Sequence, residues 1–90
     1  MKVIDSTYRH RNWRAGFRCI LEFRNASYHD SRLALTWLAA LRQRFGDHFE
    51  TPRDERQWIR EYFRSTCRIY LRDPSLVTMM LLIDPELRIK

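Results

Sequence analysis

Five arginines, Arg56, Arg60, Arg64, Arg68 and Arg72, recur at strict four-residue spacing in a chain of 90 residues. A guanidinium group is a flat fork of donors that meets phosphate or carboxylate in bidentate fashion, which an ammonium cannot do. On a helix each four-residue step drifts by only about 40°, so most of such a row shares one face. Like charges at that spacing repel by a few tenths of a kcal/mol per pair, roughly 1 kcal/mol over the row. Glu61 is the one obvious local counter-charge. The repulsion gains nothing for folding, so an external anion is a better reason for the row than a solvated face whose arginine stems cover the core.

A second cluster lies near the start, in Tyr8-Arg9-His10-Arg11-Asn12-Trp13-Arg14. Arg9, Arg11 and Arg14 suit phosphate, while Trp13 suits a base or a protein pocket. The structural alternative is a hairpin arm whose Tyr8 and Trp13 cover the edge of the core. If the early strands and a strand carrying Arg68, Tyr70 and Arg72 form one sheet, its outer face gathers Arg18, Arg24, Arg68, Tyr70 and Arg72. That would be an electropositive platform with an aromatic in it, of the kind single-stranded nucleic acid uses.

The net charge is +6 with a pI near 10.0, and the basic residues are almost all arginine. Biased codon usage would raise arginine everywhere without ordering it, so position carries more weight than number. Nothing comparable points to catalysis. His10, His29, His48, Cys19 and Cys67 show none of the close pairings that zinc sites use, so no metal is expected. No glycine-rich phosphate loop or serine elbow implies a cofactor or a hydrolase. His48 stands two residues before Glu50, with Arg44 or Arg53 to hold phosphate. A small basic ribonuclease could use that arrangement, although a lone histidine near a glutamate is more often surface decoration.

These residues need a scaffold, and the length allows one domain over 1–90 with a thin core. Residues 17 to 24 alternate, with Phe17, Cys19, Leu21 and Phe23 on one side, which predicts a strand with one buried face. Residues 2 to 14 can pair back on it as a hairpin. Ala34, Trp37, Leu38, Leu41 and Phe45 recur at helical spacing between a cap at Asp30 or Ser31 and a stop at Gly46. Thr51-Pro52 with Asp54 and Glu55 signals a second helix start. That helix is expected to run to about Ser65 and to give way to a strand over 66–71, where β-branched and aromatic residues alternate. The segment 76–83 is apolar on all sides and is expected to be buried, as strand or short helix. Asp73-Pro74 and Asp84-Pro85 punctuate the chain. The fold class is α+β, with an N-terminal strand or hairpin, two central helices and a C-terminal strand or helix; a mostly α fold is the alternative.

Two cysteines imply no disulfide framework, the first residues lack a signal-peptide core, and no apolar run approaches the ~18 residues of a membrane span. A cytoplasmic setting with no membrane partner follows as an expectation. The function expected is a non-catalytic, arginine-rich binding or regulatory module that contacts nucleic-acid phosphates. The alternative is an adaptor or inhibitor docking on an acidic surface of a larger protein, anchored by Trp13, Tyr62 or Tyr70.

Overall fold

A computed structural model describes residues 2–5, 15–46, 52, 55–62, 65–84 and 87. The elements in order are β1 (Lys2–Asp5), β2 (Cys19–Arg24), α1 (Tyr28–Phe45), β3 (Trp58–Tyr62), β4 (Thr66–Leu71) and α2 (Ser75–Ile83). The four strands form one antiparallel sheet in the order β1-β2-β4-β3, so the fold is α+β.

Alternation in β2 and β4 builds the main core. Cys19, Leu21 and Phe23 join Cys67, Ile69 and Leu71 on one face of the sheet, where Trp37, Leu38 and Leu41 of α1 and Leu76 and Met80 of α2 complete the cluster. Two buried indoles are satisfied as they pack. Trp37 Nε1 donates to the Leu87 carbonyl and Trp58 Nε1 to that of Gly46, both at 3.3 Å. These bonds tie residue 87 and the end of α1 to the rest of the fold. Cys19 and Cys67 are buried and free.

Phe17 departs from the expected face. It packs with Ile20 and Tyr70 in a second cluster, flanked by Ile4, Ala15 and Ile59. The register aligns Ile4, Ile20, Tyr70 and Ile59 across all four strands, which makes an apolar rung on the face opposite the helices. Phe17 precedes β2, so the strict alternation that fixes Cys19, Leu21 and Phe23 does not bind it.

The helix expected from Thr51 to about Ser65 does not form. Glu55 N–H bonds to the Pro52 carbonyl at 2.9 Å, and Asp54, part of the start signal, lies outside the described residues. Residues 58–62 are the strand β3, paired with β4 from Trp58–Leu71 to Tyr62–Cys67. Ile59, Trp58 and Tyr62 are β-branched or aromatic, and tertiary pairing overrides a weak local helix signal. Thr51 lies outside the described residues. The strand expected over 66–71 is present, and 76–83 is helical within α2.

Two caps are local chemistry. Ser27, rather than Asp30 or Ser31, caps α1, its hydroxyl accepting from Asp30 N–H at 3.2 Å. Asp30 reaches back and accepts the Arg24 N–H at 2.9 Å, locking the helix start to the end of β2. Gly46 ends the helix at φ 76°, its N–H bonded to the Arg42 carbonyl at 2.9 Å. At α2, the Asp73 carboxylate takes the Ser75 N–H at 2.9 Å, as the Asp-Pro signal leads one to expect.

The Arg24 N–H holds the Asp30 carboxyl below its ordinary range. A depressed folded pKa adds stability above the unfolded value of about 3.9 and loses it as the pH falls through the folded value. Asp30→Asn is expected to lower the urea midpoint at pH 7, and the gap from wild type should close as the pH drops below about 4. A gap that stays constant into acid would contradict the charge-assisted cap.

Candidate functional site

The hairpin register decides where each arginine of the row goes. Trp58 pairs with Leu71 and Arg60 with Ile69, so residues of opposite parity in β3 and β4 share a face. A four-residue spacing that would line up on a helix is therefore split between the two faces by the antiparallel register. Arg60 lies on the helix-side face with Trp58 and Tyr62, whereas Arg68 lies on the opposite face with Glu61 and Tyr70. The row makes no single basic face.

Arg68 sits within a ladder of alternating charge. Lys2 pairs with Glu22, Glu22 with Arg68, and Arg68 with Glu61, one residue from each strand. Arg68 Nε donates to Glu22 Oε2 at 2.9 Å, with the two side chains 31% and 19% exposed. Partly exposed cross-strand pairs of this kind contribute roughly 0.2–1 kcal/mol each. The Tyr70 hydroxyl interacts with both Arg68 and Glu61, and burial pushes its phenol up. Tyr70 is fully buried. The outer face thus brings Arg24, Arg68 and Tyr70 together, as expected, with an apolar rung beside one in which Glu22 and Glu61 offset Lys2 and Arg68. Arg24, at the end of β2, is exposed on that face, and Arg18 is half-buried with its N–H on the Leu71 carbonyl.

Arg72 is a clamp. Its Nε donates to the Arg56 carbonyl at 2.7 Å and its Nη1 to the Ala15 carbonyl at 2.9 Å. Its guanidinium lies over the Phe17 ring at 4.5 Å, while Nη2 is buried with no hydrogen-bond partner among the described residues. Gly16, at φ +102°, leaves the space, since a Cβ there would collide with Nη1. One side chain so joins the turn before β2, the end of β4 and the segment leading into β3. Arg56, half-buried, contributes its carbonyl to this clamp and has a further interaction of its own.

Arg60 is placed differently. Its guanidinium stacks over the Tyr62 ring at 4.9 Å, and Tyr62 is 61% exposed. Its neighbours on that face, Trp58, Tyr62 and Ile69, include no carboxylate, because Glu61 points to the other side. Arg60 is half-buried, whereas Arg32, Arg42 and Arg44 on α1 are exposed. Of these three the sequence pointed only to Arg44, as a phosphate holder beside His48, although the positions of Arg32 and Arg42 off the apolar stripe of α1 were there to find them. Arg9, Arg11, Trp13, Arg14 and Arg64 lie outside the described residues, as do His48 and Glu50.

Among the described residues no cluster of histidine, cysteine or acidic side chains could hold a metal, and no helix is long and apolar enough to cross a membrane. No protein-family model, curated protein or solved structure matches the chain.

These placements separate structural arginines from available ones. Arg72→Ala should cost about 1–3 kcal/mol in urea unfolding, because it breaks bonds to two carbonyls and empties the space over Phe17. Arg60→Ala should cost less than about 0.5 kcal/mol. Equal losses in the two variants would contradict this division.

Proposed function

We propose that the chain is a non-catalytic binding module that engages nucleic-acid phosphates through the arginines its own fold leaves available, Arg60 foremost. The observation that carries this reading is the Arg60–Tyr62 stack, a cation on an exposed ring with no carboxylate on its face of β3 and β4. Such a pair presents a phosphate donor and a flat surface for a base side by side, on a strand at the edge of a sheet where an extended strand of nucleic acid has access. The net charge of +6 adds a long-range attraction for a polyanion. The same exposed aromatic favours a second reading, in which Tyr62 anchors the chain on an acidic surface of a larger protein with Arg60 at the rim.

Single-stranded DNA and RNA labelled with a fluorophore are expected to bind, with affinity falling steeply between low and physiological salt. Arg60→Ala should weaken binding and reduce the salt slope by about 0.7, the value for one phosphate contact to a single strand. Tyr62→Ala should cost about 1–3 kcal/mol through lost stacking. Arg68→Ala should leave the slope unchanged. Absence of binding to any nucleic acid at low salt would reject the phosphate reading and leave the protein-docking one.

A further inference from the structure

The helix α2 reads SLVTMMLLI and has no charged residue. A helix apolar all round belongs in an interior, yet only Leu76 and Met80 of α2 are buried. Met79, Leu82 and Ile83 are exposed, Leu82 at 71% and Ile83 at 57%. Their spacing of three and four puts them on one face. Next to that face, α1 and α2 enclose a groove of about 320 Å³ lined by Ala40, Gln43, Arg44, Met80, Ile83 and Asp84. Contiguous apolar surface beside a groove between two helices is the arrangement that receives the apolar side of a third helix.

The geometry points to this groove and the exposed face of α2 as the seat of an acidic amphipathic helix supplied by another protein. Charge selects that occupant. A second copy would bring a net +6 against a net +6. The α1 wall of the groove ends in the exposed Arg44. The other charge on the groove, Asp84, is at the C-cap of α2, where its N–H bonds to the Met80 carbonyl at 2.9 Å. A helix laid along the groove would bury Leu82 and Ile83 and set its carboxylates against the end of α1. The surface uses no residue of β3, so the proposal stands apart from the nucleic-acid reading.

The test is a titration of the full isotope-labelled chain with a synthetic amphipathic peptide that carries leucines at i, i+3 and i+7 and flanking glutamates. A twin peptide with lysine for glutamate is the control. Amide shifts are expected at Ala40, Arg44, Met79 and Ile83, with the acidic peptide binding at least about tenfold more tightly than its twin. Leu82→Ser should weaken binding about tenfold or more, as loss of one leucine's burial implies. Arg44→Glu should reverse the preference between the peptides. Both positions are exposed, so a normal spectrum for each variant checks the fold. Equal binding of the twins, or shifts confined to other residues, would overturn the proposal. So would self-association abolished by Leu82→Ser, which assigns the face to a second copy, or binding to phosphatidylcholine vesicles in place of the peptide, which assigns it to lipid.

Discussion

Strand β4 lies between β2 and β3, and its side chains are buried on both sides of the sheet. Cys67, Ile69 and Leu71 enter the main core, and Tyr70 enters the smaller cluster behind it. A strand in that position tolerates one register, because a slip by one residue would turn Arg68 into the main core and Ile69 out of it. The bulk of Trp58 on one edge and Phe23 on the other sets that register from both neighbours. Every other placement, including which arginines are consumed and which are available, follows from it.

The cost of burying or crowding cationic side chains explains the different fates along the row. Arg68 is half-buried beside the buried Tyr70, and the flanking Glu22 and Glu61 supply counter-charge from the neighbouring strands. Arg72 comes after the last rung, where strand pairing ends and carbonyls would otherwise lack partners. Its fork meets two of them and its flat face covers Phe17. Arg60 is half-buried on an outer strand of the described sheet, where the Tyr62 ring stabilises its cation. Even spacing in the sequence therefore yields three unlike environments. The exposed apolar face of α2 and the basic end of α1 add a separate surface that no arginine count would reveal.

Much of the scaffold was legible because its signals were local and repeated. The alternation of Cys19, Leu21 and Phe23, the helical repeat from Ala34 to Leu41, the stop at Gly46 and the strand at 66–71 each follow from side chains close in sequence. The failure at 52–62 was physical. In the sequence Ile59, Phe63, Cys67 and Leu71 recur every four residues, a spacing that is even and so also fits a strand, and only pairing with β4 decides for 58–62. Phe17 was misplaced because it lies just outside the strand whose alternation it imitates. The charge ladder was hidden for a related reason. Glu22 and Arg68 are 46 positions apart, and no local pattern announces a pairing at that distance. The exposed side of α2 was unreadable because apolar composition predicts burial and cannot show which side lacks a cover.

Nuclear Overhauser contacts across residues 56–71 test the central claim most directly. The register described here predicts cross-strand Hα–Hα contacts at alternate β3–β4 pairs, in the alignment that sets Arg60 opposite Ile69 and Glu61 opposite Arg68. Strong sequential amide contacts with i to i+3 helical contacts through residues 56–65 would contradict it, and would restore the arginines to a single face.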